Sequence, residues 1–244
     1  MRITRGAIAS ALTIAVLVVA ASAHDAVPAR AGTPYLEGID VSRWQGKPRW
    51  SEVKAAGVRF VIAKATEGTA WVDPQYARNH ARLKANNIPF SAYHFASPDA
   101  TPGDAIAEAN HFVDTAALGG RNLLPVLDLE RHNDMPADFL HEWAKTWLAR
   151  VEERLGVKPM IYTSPRFWVE RMADTRWFAD EGYRLWIAHW NVDNPAVPAQ
   201  GWGGRGWTLW QYAVVGGLDG ISGKVDRDRY AGDTLAPLRI KNNR

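Results

Sequence analysis

The chain has 244 residues, enough to bury a substantial core in one large domain or two small ones. Hydrophobic residues at 47% and charged residues at 23% exclude a disordered or collagen-like chain. The formal charge of +3 includes Arg2 and Arg5, and with no Lys/Arg block there is no electrostatic case for nucleic acid.

The first 23 residues have the layout of a secretory signal peptide. Basic Arg2 and Arg5 precede an apolar stretch from Ala7 to Ala20, which is short for a membrane span. Ala21-Ser22-Ala23 follows as a small-residue cleavage site, with Ala29-Arg30-Ala31 as a second candidate. Export to the periplasm or the medium is therefore expected. Residues 24–34 read as a linker, and no membrane attachment is expected after cleavage. The chain has no Cys, so stability must come from the core, which fits a large domain better than a disulfide scaffold. The 12 tryptophans are many for this length. An indole N–H needs a partner when buried, so aromatic binding surfaces and core packing are equally good readings.

A repeating rhythm then begins. "YLEGIDVSRW" is a short apolar strand, and "WSEVKAAG" a short helix stopped at Gly57. "VRFVIAKAT" is a strand, "PQYARNHARLKANN" a helix ended by Asn86-Asn87, and "IPFSAYHF" a strand. "PGDAIAEANHFVDTAALGG" is a helix with Gly119-Gly120 at its end, and "NLLPVLDLE" a strand. The longest helix is "PADFLHEWAKTWLARVEERLG", whose apolar Leu140, Trp143, Trp147, Leu148 and Val151 keep helical spacing up to Gly156. "VKPMIYTS" is the next strand. Beyond "PRFWVERM" the rhythm changes, and "YRLWIAHW", "GWTLWQYA" and "GKVDRDRY" are three strands with little helix between them. Five strands with helices followed by three nearly without predict an α/β fold of one domain, a closed (β/α)-type barrel that has lost its last helices. An open doubly wound sheet is the alternative, but no G-x-G-x-x-G follows the first strand. The barrel is expected over residues 35–235, with a short tail over 236–244.

In such a barrel the chemistry sits at the C-terminal ends of the strands. Those ends deliver Asp40, Lys64, Tyr93 and His94, then Asp128 and Glu130, then Tyr162, His189 and Trp190, Gln211 and Tyr212, and finally Asp226 and Asp228. Acids and aromatics would meet at one rim. Asp128 and Glu130 are two apart on a strand, so they share a face with Cα atoms roughly 6.6–7 Å apart. Paired carboxylates serve glycosidic cleavage, one protonated to reach the leaving oxygen and one charged. Their repulsion and apolar neighbours would raise one pKa. Taken alone, D-x-E is better read as a salt-bridged pair at a strand end, for instance with Arg131 or Lys64. Asp40 alone suits a turn, and Asp226 and Asp228 suit solvated strand ends. "HEWAK" lacks the second His of a zinc motif, and no acidic loop has calcium-binding register. The aromatics offer stacking faces for sugar rings, or barrel-top packing.

In order, "GIDVSRWQG", "FVIAKATEG", "AYHFASP", "LPVLDLE", "MIYTS", "LWIAHW", "WQYA" and "GKVDRDRY" resemble glycoside hydrolase family 25, the Chalaropsis-type lysozymes. The resemblance runs from Tyr35 to Tyr230. It implies a (β/α)5(β)3 barrel and cleavage of peptidoglycan between N-acetylmuramic acid and N-acetylglucosamine, with retention and through the substrate's own acetamido group. It also implies that Glu130 is the general acid and that Asp128 orients the acetamido group. Asp40 and Asp226 would complete the acidic cleft, and Tyr93, Tyr162 and Trp190 would line the sugar subsites. Lys64 and Gln211 are rim or supporting groups by the same comparison. No metal or cofactor is expected, the partner is a peptidoglycan glycan strand, and the protein is expected to be a monomer. Two features depart from the family. Asp228 stands where Asn is usual, adding a charge near the site, and the wall-binding repeats of many members are not found, so affinity for the wall would come from the cleft. A non-catalytic glycan-binding barrel and another barrel glycosidase, such as a chitinase, are the competing readings.

Overall fold

The computed structural model describes residues 35–241, so the expected signal peptide and linker lie outside the described residues. Nine strands form one sheet. They are β1 (Leu36–Val41), β2 (Phe60–Glu67), β3 (Trp71–Val72), β4 (Phe90–Phe95), β5 (Val126–Asp128), β6 (Met160–Thr163), β7 (Arg184–Ala188), β8 (Leu209–Gly216) and β9 (Lys224–Tyr230). Strand β1 pairs with both β2 and β9, which closes the sheet into an eight-stranded barrel, and β3 hangs on β2 as a short hairpin arm. Barrel neighbours from β1 through β8, with the arm β3 left aside, run parallel. Strand β9 runs antiparallel to β8 and β1, as a hairpin closure requires.

Helices α1 (Trp50–Ala55), α2 (Tyr76–Ala85), α3 (Asp104–Ala116), α4 (Ala137–Leu155), α5 (Pro165–Arg171) and α6 (Trp177–Asp180) cover the first five crossovers. Between β7 and β8 there is only a short segment at Pro198–Gly203, with Ala199 to Trp202 in the left-handed region. The barrel thus has helices after its first five strands and almost none after, as expected from the sequence. One local expectation fails. Helix α3 ends at Ala116 with Ala117 left-handed, short of Gly119-Gly120. The stretch around Trp71 forms the β2–β3 hairpin.

The period of two along each strand sorts the side chains into two layers. Ile39, Val41, Val61, Ala63, Leu127, Leu129, Ile161, Leu185 and Ile187 point outward into the core beneath the helices. Phe60, Ile62, Val126, Met160, Leu209 and Tyr230 point inward and fill the lower half of the barrel. Leu235 and Leu238 close this floor, and Ile240 is buried as well, so residues 235–240 pack against the barrel. At the centre Gly38 leaves room for Phe60, whose ring would lie 2.3 Å from a Cβ at that position. The upper half of the barrel is polar, and there the site forms.

Candidate active site

Following the inward rows upward, each strand exchanges an apolar floor residue for a polar one near its C-terminal end. Strand β1 places Asp40, β2 Lys64, β4 Tyr93, β6 Tyr162, β7 Trp186 and β8 Gln211. With Ser42, Trp44, Phe95, Asp128, Glu130, Trp190 and Asp226 they line one cleft of about 270 Å³. All nine residues expected at the site from the sequence are therefore brought together. Strand β5 ends at Asp128, one turn of the pleat earlier than expected, but the alternation persists beyond it. Leu129 is buried in the outer core, so Asp128 and Glu130 both face the cleft.

The expected ion pair of Asp128 or Glu130 with Lys64 or Arg131 does not form. Both cations instead take Glu67, Lys64 at 2.7 Å and Arg131 at 3.2 Å. Asp128 is buried, and its Oδ1 has no hydrogen-bond partner in the protein. Burial first, and then the charge of Glu130, hold its carboxyl well above the ordinary carboxylate range. Glu130 reaches the open part of the cleft, yet the loss of hydration between the cleft walls still raises its pKa, against the pull of Lys64 and Arg131.

On the opposite wall Asp40 and Asp226 are register partners across β1 and β9. Burial raises Asp40 well above its usual range, and the nearby charges of Asp228 and Asp226 add to it. Gln211 donates to Asp40 Oδ2 at 2.7 Å, which works the other way. The same amide accepts from Tyr162 Oη at 3.1 Å and from Trp190 Nε1 at 3.0 Å. Gln211 is thus the centre of a buried network joining an acid, a tyrosine and an exposed indole. Tyr93 and Tyr162 both have raised phenol pKa values, from burial and then from Asp40 and Glu130 respectively. Both therefore stay neutral donors.

Asp228 lies deeper, beneath the cleft, where Trp186 Nε1 donates to its Oδ1 at 2.9 Å. It is fully buried, its Oδ2 is without a partner, and burial followed by Asp226 pushes its pKa well up. It is not a solvated strand end. Trp186, which stacks edge-on against Tyr162 at 4.6 Å, was not singled out from the sequence. Its signal is period two, since it shares a strand face with Ala188 and Trp190. Phe95 was missed for the same reason. His94, in contrast, faces away from the cleft and bonds Glu108 at 2.6 Å and Thr66 at 2.8 Å. His189 is engaged with the Ala196 backbone. Trp44 stands 77% exposed at the cleft edge, on a turn fixed by the reciprocal capping of Ser42 and Gln45. Among the described residues no group of acids and histidines could hold a metal ion, and no helix is long and apolar enough to cross a membrane.

A closed barrel whose rim gathers paired carboxylates and sugar-sized aromatic faces defines a barrel glycosidase. Comparison with known proteins agrees and narrows the class. The profile of the Glycosyl hydrolases family 25 matches residues 39–221, and the chain belongs to this family. It is 36% identical over 223 residues to Lysozyme M1 of Streptomyces globisporus, covering 87% of this chain and 74% of that protein. It is 30% identical over 207 residues to the N,O-diacetylmuramidase of Chalaropsis sp, covering 78% and 96% respectively. The crystal structure of the bacterial lysozyme from Streptomyces coelicolor superposes with a TM-score of 0.77 at 33% identity, over 86% of this chain and 99% of that one. The chain is a glycoside hydrolase.

Proposed function

We propose that the protein is an exported, monomeric muramidase that hydrolyses the β-1,4 bond between N-acetylmuramic acid and N-acetylglucosamine in peptidoglycan. The lysozyme and muramidase names of its relatives support the substrate. Residues 1–23 are read as the cleaved signal peptide. The observation that carries the mechanism is the unequal pair at the end of β5. Asp128 is buried with an unpartnered oxygen, while Glu130 stands in the open cleft with a raised pKa.

Two carboxyls on one face of a strand end, both pushed up by burial, favour keeping one proton between them. The N–H of a substrate 2-acetamido group is the donor that Asp128 Oδ1 lacks. That bond favours the Asp128 carboxylate and leaves the proton on Glu130. Glu130 then protonates the glycosidic oxygen as the C–O bond breaks. The acetamido carbonyl oxygen attacks the anomeric carbon and closes an oxazolinium ring, and Asp128 stabilises the positive charge on its nitrogen. The Glu130 carboxylate next takes a proton from water, whose oxygen opens the ring at the same carbon. Two inversions give net retention. Asp40 and Asp226 stabilise positive charge from the opposite wall, and Gln211 keeps Asp40 pointed inward. Tyr93, Tyr162 and Trp190 hold the sugar rings, with Lys64 at the rim.

Purified peptidoglycan tests this reading. The wild type is expected to release new reducing ends on muramic acid, and Glu130→Gln to lose at least about 10²-fold in kcat. Binding without release of reducing ends, or cleavage of chitin oligomers with no action on peptidoglycan, overturns it.

A further inference from the structure

Every charge on the cleft wall except one group is acidic. Asp40, Asp128, Glu130 and Asp226 repel any anionic part of a ligand, whereas Lys64 is the cation on the lining, and Arg131 stands just beyond it. Both lie near enough to Asp128 and Glu130 to lower their pKa values, so they flank the position of bond cleavage. The two cations share a single carboxylate, Glu67, and one unit of positive charge is left over.

The local backbone is shaped to assemble this group. In an unbroken strand Lys64 and Glu67, three apart, would face opposite sides. The β2–β4 register shifts between Lys64 and Thr66, and this bulge returns Glu67 to the same side as Lys64. The Phe95 ring then lies beneath both cations, with Lys64 Nζ at 4.4 Å and the Arg131 guanidinium carbon at 4.6 Å from its centroid. Stability does not account for the arrangement, because a pair as exposed as Arg131–Glu67 contributes about 0–1 kcal/mol. What it does provide is an oriented guanidinium, which has five N–H donors and uses one of them on Glu67 in a geometry suited to a second, bidentate carboxylate.

We propose that Lys64 and Arg131, held by Glu67 and Phe95, form a subsite for a carboxylate carried by the muramyl residue of the substrate. The inference rests on the muramidase reading above and adds to it an orientation. The lactyl side of the muramic acid faces the β2–β5 wall, and uncharged amino-sugar polymers gain nothing there. The carboxylate has two possible sources, the lactyl group of a glycan stripped of peptide or an acid of the stem peptide itself.

The test is the kinetics of wild type, Arg131→Gln and Arg131→Lys on three forms of one glycan. These are peptide-bearing strands, denuded strands with free lactyl carboxylates, and denuded strands whose carboxylates have been converted to amides. Arg131→Gln is expected to raise KM roughly tenfold more on a carboxylate-bearing form than on the amidated one, with the same change in kcat on both, and Arg131→Lys to recover part of the KM loss. An effect on denuded strands assigns the lactyl group, and an effect confined to peptide-bearing strands assigns the peptide. On the amidated strands wild type and Arg131→Gln should have the same KM, and any change in kcat there reports the loss of Arg131's pull on Asp128 and Glu130. An equal loss on all three forms, with a shifted pH profile, overturns the subsite and leaves Arg131 as a tuner of Asp128 and Glu130. No change on any form overturns it too. Inactivity of the wild type on all three would refute the muramidase function itself.

Discussion

At Gln211 a single buried amide serves three side chains, accepting from Tyr162 and Trp190 on one atom and donating to Asp40 from the other. Leucine at this position is similar in size but offers neither function. It would leave Asp40 buried among Asp228 and Asp226 without its stabilising donor, so its carboxyl would rise further and swing free. Gln211→Leu is expected to lower kcat by about 10- to 100-fold, a loss of about 1.4–2.7 kcal/mol in transition-state stabilisation, with a smaller change in KM. Steady-state kinetics on soluble glycan strands measure the split. The residues in this network were legible as strand ends because period two carries each inward row up to the rim. Their partners were not. Nothing in D-x-E tells that Lys64 and Arg131 turn to Glu67, since that choice depends on a bulge that the sequence does not mark. Trp186 was hidden for another reason, because a tryptophan in an apolar run looks like ordinary core until its N–H is seen on Asp228.

Elements are joined by a few tight contacts that sequence spacing does not resolve. The parallel rhythm was legible because a Gly or Asn stop lies between most helices and the short apolar run that follows. The short β3 and the antiparallel direction of β9 were not, since a two-residue strand has no period and direction follows from closure. Closure itself depends on Gly38, where β1 passes over the Phe60 ring. Gly38→Ala puts a methyl group inside that ring's volume and is expected to cost about 1–3 kcal/mol, or more if the barrel cannot shift. Urea unfolding measures it, and Phe60→Leu in the same chain should recover part of the loss. A second joint holds α3 to β4. His94 is fully buried, stacked on Trp147 at 5.4 Å, and bonded to Glu108, whose carboxyl burial pushes up to about 8. Burial lowers His94 well below its usual value, so near neutral pH the imidazole is uncharged beside a Glu108 carboxyl that keeps its proton up to about pH 8. Because the folded pKa of Glu108 is raised, its contribution is complete below the unfolded value near 4.5 and is lost as pH rises toward about 8. Glu108→Gln keeps a donor to His94 without the titration, and its Tm should decline less than that of wild type over this window. Glu108→Ala leaves His94 Nε2 without a partner in the core, with only Thr66 still on Nδ1, and is expected to cost about 3 kcal/mol.

For the whole molecule, the barrel is divided along its axis, with an apolar floor sealed by Leu238 and an acidic rim at the other end. The rim is a concession of stability to function. Asp40, Asp128, Glu130, Asp226 and Asp228 all have raised carboxyl pKa values, with burial the largest cause at each. A group whose folded pKa exceeds its unfolded value holds its proton more tightly in the folded state. The stability this provides is complete below about pH 3.8–4.5 and is lost as pH rises through the folded values. The five acids act in the same direction, so the protein should be more stable near pH 5 than near pH 8, opposite to a protein held by salt-bridged carboxylates. Asp228 separates this effect from catalysis. It lies beneath the cleft, and asparagine at this position keeps an oxygen for the Trp186 N–H while removing the buried charge. Asp228→Asn is expected to raise Tm by a few degrees at pH 8 and by little at pH 4, and to relieve the repulsion on Asp40. Thermal unfolding of wild type and variant from pH 4 to pH 8 measures the divergence. Parallel curves across that range would mean that Asp228 titrates alike in the folded and unfolded states, so that its carboxyl is not raised and the descent belongs to the other four acids and Glu108.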